Sequence, residues 1–588
     1  MVLTVEKQMA TTSKVAVSAA SICIGVIAFV CFLYGAHMAT ESLRSSQPPL
    51  ARAISNGTSL FAPTTLLISL DGFRADYLTR NITPTLSGFV AEGVSPKYMM
   101  PSFPSLTFPN HFTLVTGLYP ESHGVVGNTF WDPAMGKEFW YTDPARSMQP
   151  EWWLGEPLWE TAELAGVRSA IHMWPGSEAH IGSVEPTYVD NFNGKEDLGK
   201  KVNRILELLD KPGPHDEDVS DDSPRPQLIA AYVPNVDAVG HGYGPNSTEI
   251  RGTIMEVDSM LGSLFRGIHE RNLTDIVNIV VVSDHGMATT STRRLIQFED
   301  LLDTSLIEHT DGWPLYGLRP YNQSDAHLHE LYNHLLTKIK EPEYAGNLDV
   351  YLRDENMPAR YHFSNNQRIA PLWLVPRAGW AIVHKAEFDV QKALSQDPPA
   401  PYKPHGLHGY DHEDPLMRAI FVARGPAFPH PAGSIVAPFQ NTEVYNVVCD
   451  SLGIEPRTGN GTLRLPFKVD GVHGDLKESI EEPHDHPAAE SSVASGSMVS
   501  SMPTLEGIGS EVSASAPTIS ASKSQDTVQG VVEQPTRPEV HDGLEDEKEK
   551  EKISKWWDWV TGKVEDAKGW VTGLFKGGKE EGGKENHG

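Results

Sequence analysis

The sequence predicts an α/β fold, a doubly wound and mostly parallel sheet with helices on both faces. Three observations carry that expectation. Four apolar runs, "TTLLISL" (64–70), "LIAAYV" (228–233), "IVNIVVV" (276–282) and "RAIFVAR" (418–424), are near-continuous rather than alternating. Such runs suit strands covered on both faces. Helical patterns lie between them, such as "STEIRGTIMEVDSMLGSLFRGIHE" (247–270), which follows the loop "VPNVDAVGHGYG". Finally, "SLDGFRADYL" and "VVSDHGMATT" set Asp71 and Asp284 at the ends of two apolar runs. In doubly wound sheets ligands gather there, beyond the carboxyl ends of the strands.

Taken in chain order, 1–14 is expected to be a short cytosolic tail. The stretch "VAVSAASICIGVIAFVCFLYGA" (15–36) has no charge between Lys14 and Glu41 and is long enough to span hydrocarbon as a helix. A cleavable signal peptide has a shorter apolar core, so a single-pass anchor is expected. Lys7 and Lys14 before it nearly balance Arg44 and Arg52 after it, so charge barely sets its orientation. Glycosylation sequons begin at Asn56, Asn81, Asn246, Asn272, Asn322 and Asn460, all on the C-terminal side. They favour a type II protein with a lumenal or extracellular body, at the plasma membrane or in the secretory pathway.

A polar stem (37–62) then leads to a globular body (63–478). Within it the acidic, Pro-rich stretch 211–227 reads as a surface loop. The 588 residues, 39% of them apolar with 13 Trp and 20 Phe, are enough for a large core. The net charge of −29 argues against a nucleic-acid-binding surface. Of three cysteines, Cys23 and Cys31 fall in the apolar span, which leaves Cys449 alone in the body. Ser-, Ala- and Gly-rich sequence at 479–547 is expected to be a disordered linker. At 548–588 a Trp-rich amphipathic helix is expected, with Ile553, Trp556, Val560, Val564, Ala567, Val571 and Leu574 on one stripe. It suits a membrane interface, or equally docking on a protein surface.

Two further clusters join Asp71 and the Asp284–His285 pair. "LIAAYVPNVD" delivers Asp237, and His241 follows four residues later, on the same face if that turn is helical. "HGLHGYDHED" holds His405, His408 and His412 just before the last apolar run. Carboxylate and imidazole without thiolate suit catalytic Zn²⁺ or Mn²⁺, and four clusters at strand ends imply two ions. In "TFPNHFTLVTG", Pro109 suits the first turn of a helix ending near Thr116, with Gly117 beyond it. Thr107 is then the expected N-cap. That is an ordinary structural role for Thr, but beside a metal the hydroxyl becomes an activated nucleophile.

These residues, with "DGFRADYL", "TFPNHFTLVTGLYPESHGVVGNTFWDP", "WPGSE", "DAVGHGYGP", "SDHGM" and "HGYD", resemble the ecto-nucleotide pyrophosphatase/phosphodiesterase family of the alkaline phosphatase superfamily. The likeness covers roughly 63–478 and is strongest with the short, cysteine-poor fungal members. It implies an alkaline-phosphatase-like fold with two Zn²⁺. One would be held by Asp237, His241 and His408, the other by Asp71, Asp284, His285 and the hydroxyl of Thr107. It further implies Asn128 as a phosphate contact, with Phe108 and Phe192 on either side of a nucleobase. His111, His405 and His412 match no ligand position and are expected to be structural. Trp131 stands where the family carries Tyr before "DP".

The implied activity is hydrolysis of nucleoside triphosphates or dinucleotides to nucleoside monophosphates through a phosphothreonine-type intermediate, by a monomer. A sulfatase would need Cys or Ser in C-x-P-x-R, which "TFPNH" lacks. The alternatives are a phosphodiesterase for choline lysophospholipids, using Phe108 and Phe192 for the head group, and a membrane-tethered inactive binding protein.

Overall fold

The four apolar runs come together in one eight-stranded sheet. The computed structural model describes residues 53–213, 216, 224–467 and 483–485. In chain order the strands are β1 Thr64–Leu70, β2 Val94–Pro96, β3 Ser169–His172, β4 Tyr188–Asp190, β5 Leu228–Val233, β6 Val277–Val282, β7 Phe421–Arg424 and β8 Ser434–Val436. Across the sheet they lie in the order β8-β2-β7-β6-β1-β5-β3-β4. Strand β7 runs antiparallel to both its neighbours, and every other pairing is parallel. Leu70 pairs with Val233, and Ser69 with Val282. The three central strands therefore end at one rim, and the residues just beyond them are neighbours.

The runs are continuous because both faces of these strands are covered. Leu66, Ile68 and Leu70 of β1 pack into one cluster, while Leu67 packs into the other. Ile229, Ala231 and Val233 of β5 take the first side, and Leu228, Ala230 and Tyr232 the second. Helices α1 Thr107–Thr116 and α5 Glu443–Leu452 cover the second face. Helices α2 Leu198–Leu209, α3 Asn235–Tyr243 and α4 Thr248–Glu270 cover the first. In α4 the Ser247 hydroxyl caps the first turn by accepting the Ile250 N–H at 3.1 Å. Buried Ile250, Ile254, Val257, Leu261, Leu264 and Ile268 line one side of that helix, each contributing about 1.5–3 kcal/mol by burial.

Helix α1 corrects one expectation. It begins at Thr107 itself, with Leu106 in the capping position, and Thr107 makes no capping hydrogen bond. A Thr cap would use the N–H two or three residues on; Pro109 has none, and that of Asn110 donates to the Leu106 carbonyl at 3.1 Å. Gly117 does close the helix, at φ +66°.

Between β6 and β7 the chain adds a four-stranded antiparallel sheet, with strands Ile307–Asp311, Tyr316–Pro320, Leu372–Pro376 and Leu348–Leu352 in that spatial order. It has its own small core, completed by the helix Asp325–Lys338. The folded body also reaches into the expected stem. Leu60–Phe61 pairs with Ile54–Ser55, and Phe61 is buried under the Arg225 guanidinium. Among the described residues no helix is long and apolar enough to cross a membrane. The expected anchor at 15–36, most of the acidic loop, and the expected C-terminal helix at 548–588 lie outside the described residues.

Candidate metal and active site

The shared rim of β1, β5 and β6 carries the site. Asp71 is the first residue after β1, and Asp284 and His285 follow β6. Helix α3 starts just beyond β5 and brings Asp237 and His241 onto one face, with Asp237 Oδ1 3.2 Å from His241 Nε2. Gly72 makes this approach possible. At φ +66° it lies so close to α3 that a Cβ would sit 2.9 Å from the Asp237 Cα. His408 enters from the short strand Gly406–Leu407, which pairs with Ala288–Thr289 just past His285.

All the expected ligand residues converge and are buried. His408 Nε2 lies 3.3 Å from Asp237 Oδ1 and 3.2 Å from His241 Nε2. His285 Nε2 lies 3.0 Å from Asp284 Oδ2 and 3.6 Å from Asp71 Oδ1. Thr107, whose hydroxyl lies 3.2 Å from the same His285 nitrogen, is the most solvent-accessible residue of the set at 8%. Ligand atoms fall into two groups within 4.8 Å of one another, Asp237–His241–His408 and Asp71–Asp237–His285. The second group differs from the expected set: Asp237 belongs to both groups and stands between them. Asp284 and Thr107 reach it through their contacts with His285.

These residues fit a metal centre on their hydrogen bonds alone. His241, His285 and His408 each place Nδ1 within 2.8–2.9 Å of a backbone carbonyl, those of Gly406, Gly286 and Ser105. A carbonyl only accepts, so Nδ1 carries the proton and each Nε2 lone pair faces the cluster. Two such lone pairs 3.2 Å apart, beside buried carboxylates, repel unless a cation lies among them. Burial pushes the His408 imidazole down to about 4, assisted by His285, so it stays neutral as a ligand must. Burial alone would raise the Asp284 carboxyl and lower the His285 imidazole, but each holds the other charged, so without a cation a proton on His285 Nε2 offsets the carboxylates in the place a metal ion would take.

The expected substrate contacts flank this cluster. Asn128 Oδ1 accepts the Phe108 N–H at 3.0 Å, which fixes the carboxamide at the first turn of α1. Phe108 is half-buried in an aromatic wall with Phe139, Tyr141 and Trp153. Phe192 follows β4 and is 52% exposed, 6.2 Å from the Tyr232 ring. Its N–H donates to Glu178 Oε1 at 2.8 Å. The loop behind it is held by His172, whose two nitrogens lie 2.9 Å from Asp190 and 2.8 Å from Glu196.

Two residues join the site unannounced. The Tyr232 hydroxyl donates to Asp71 Oδ2, and burial, with Asp71 next to it, raises that phenol well above its ordinary value. His111, expected to be structural, sits with Nδ1 2.9 Å from the Thr107 carbonyl oxygen and 3.3 Å from Asp284 Oδ2, and Nε2 2.9 Å from Ser69 Oγ. It therefore ties the helix start to a ligand carboxylate. Its i,i+4 spacing from Thr107 was the available signal. His405 meets the cluster only through its main chain, donating its N–H to the His241 carbonyl. His412 lies beside Asp411.

Comparison with known proteins is decisive here. The family model for type I phosphodiesterase / nucleotide pyrophosphatase matches residues 65–411. The chain belongs to this family. Among its relatives is an uncharacterized pyrophosphatase/phosphodiesterase of Schizosaccharomyces pombe, 45% identical over 425 residues that cover 72% of this chain and 84% of that one. Ectonucleotide pyrophosphatase/phosphodiesterase 1 of Saccharomyces cerevisiae is 35% identical, over 73% of this chain and 62% of its own length. Human ectonucleotide pyrophosphatase/phosphodiesterase family member 1 is also 35% identical, over 72% of this chain and 42% of its own. The solved structure of murine ectonucleotide pyrophosphatase/phosphodiesterase 5 superposes with a TM-score of 0.58 at 30% identity, covering 68% of this chain and 97% of that one. The fold of this family member is thus the alkaline-phosphatase-like α/β fold, and the protein falls in a family of phosphodiester hydrolases.

Proposed function

We propose that this phosphodiesterase is a two-zinc enzyme that cleaves nucleoside triphosphates or dinucleotides to nucleoside monophosphates. The carrying observation is the buried Asp/His cluster, whose Nε2 atoms turn toward its carboxylates with the Thr107 hydroxyl 3.2 Å from that of His285. On this reading Asp237, His241 and His408 hold one Zn²⁺, and Asp71, Asp284, His285 and Thr107 the other. Bound zinc would lower the hydroxyl pKa and neutralise charge on the phosphate oxygens.

Thr107 Oγ1, its proton lost to solvent, then attacks phosphorus in line, forming an Oγ1–P bond as the bond to the leaving group breaks, pyrophosphate from a triphosphate or a nucleotide from a dinucleotide. Water subsequently cleaves the threonine ester and releases the nucleoside monophosphate. The Asn128 carboxamide, its oxygen already used by the Phe108 N–H, turns its –NH₂ donors to the developing charge. Phe108 and Phe192 stack on the base. Support also comes from the murine relative, an inactive threonine-to-alanine form of which is in complex with AMP. We further propose a type II membrane anchor at 15–36, with the body lumenal or extracellular.

The test is turnover by the full chain of a panel of nucleoside triphosphates and dinucleotides beside lysophosphatidylcholine. Preferential release of nucleoside monophosphates supports the proposal. Preferential cleavage of the lysophospholipid would assign the aromatic wall to a lipid head group instead. No turnover of any member by the zinc-loaded chain would leave a binding protein.

A further inference from the structure

Beyond Phe467 the described residues resume at Pro483–Asp485, inside the stretch expected to be a linker. The Asp485 side chain is 6% exposed and buried against the catalytic body. Its carboxylate accepts four hydrogen bonds. Oδ1 takes the Thr289 N–H at 3.0 Å, and Oδ2 takes the Thr289 hydroxyl at 3.0 Å. Oδ2 also takes Arg74 Nη1 at 2.9 Å and Asn246 Nδ2 at 2.9 Å.

The three partners come from three different ligand-bearing loops. Arg74 lies just past Asp71, Asn246 just past His241, and Thr289 just past His285. Thr289 also pairs with Gly406, close before His408. Arg74 carries the contact inward. Its Nη1 donates to the Met287 carbonyl at 2.6 Å. Its stem packs on Gly286 so closely that a Cβ there would lie 2.9 Å from the Arg74 Cγ. The Gly286 carbonyl in turn fixes His285 Nδ1.

We infer that Asp485 is a positioning residue for the metal cluster: one C-terminal carboxylate pins together the loops behind Asp71, His241 and His285. The inference rests on the two-metal reading proposed above. A buried carboxylate is tolerated only where its charge and lone pairs are matched, and here the matching groups are the backs of the ligand loops. With Asp485 absent, Arg74 loses one of its two carboxylate partners, and Thr289 and Asn246 lose their common acceptor. The ligands are then free to drift by the fractions of an ångström to which metal retention is sensitive.

The test compares the full chain with Asp485→Ala and Asp485→Asn. Each is loaded with Zn²⁺, its metal content is measured, and it is then mixed with excess chelating dye to follow zinc release. Asp485→Ala should release zinc about 10-fold faster, the low end of the loss seen when groups supporting a metal ligand are removed. Asp485→Asn should fall between. The melting temperature of the zinc-loaded protein should drop more than that of the stripped protein, whereas a purely structural tether would lower both equally. Identical release rates in all three proteins, or equal drops in both melting temperatures, would overturn the inference. A parent chain that captures no zinc at the loading step would defeat the two-metal reading itself, which separates the two failures.

Discussion

The Thr107 hydroxyl lies 3.2 Å from His285 Nε2, while the residue contributes no capping bond to its helix. Thr107→Ala should therefore keep the fold and the bound metal but lower turnover by roughly three orders of magnitude or more. Thr107→Ser should retain a partial rate. Steady-state turnover, read beside metal content and circular dichroism, checks both; an alanine variant with more than a few per cent of parental activity would remove Thr107 as the nucleophile. Asp71, Asp284 and His285 were legible in the sequence as candidate ligands because they stand at the ends of two apolar runs, the place where ligands gather in a doubly wound sheet. Tyr232 and His111 were not. Tyr232 reads as one more apolar residue of its strand, and its bond to Asp71 appears only once β1 and β5 are paired in register. The same holds for Asp485, whose partners are distant in sequence and share no motif with it.

At the scale of elements, continuous strands and well-capped helices were legible, and α4 runs from the residue after its Ser247 cap as its pattern implies. The four-stranded sheet was not, because its first strand buries only Asp311 fully and mixes half-buried and exposed positions without alternation. The element that tests the substrate assignment is the loop carrying Phe192. Base–aromatic stacking is worth about 1–3 kcal/mol and tolerates any base. Phe192→Ala should thus raise KM for every nucleoside triphosphate about 5- to 150-fold. The kcat/KM of a small phosphodiester lacking a base should stay nearly constant. If both substrates weaken equally, the ring supports the loop rather than the base. A second element, the helix Pro120–His123, controls acid stability. His123 is fully buried, bonded to Thr113 Oγ1 and to the Val125 N–H, and burial pushes its imidazole down to about 3. Its folded value lies below its unfolded one, so the unfolded chain binds the extra proton as pH falls below about 6.5. Stability is then lost progressively towards the folded value, by about 2 kcal/mol at pH 5 for this one residue. Denaturant midpoints of the chelated protein at pH 7.5 and pH 5 measure the loss. His123→Gln should show a smaller drop between the two pH values than the parent, and an equal drop would contradict the assignment.

For the molecule as a whole, the rim of one sheet, with α1 and the short strand before His408, brings residues from positions 71 to 408 together, and Asp485 braces the loops behind them. Binding to the folded state alone stabilises it, by about 4 kcal/mol at 1,000 times the dissociation constant. Stripping the metal should therefore lower the melting temperature as well as abolish activity. The most direct measurement of the central claim is a titration of Zn²⁺ into the chelated full chain while AMP release from ATP is followed. The account predicts that activity returns with about two equivalents bound per chain, and that the melting temperature rises over the same range. Full activity with a single ion bound, or in the continued presence of excess chelator, would contradict it.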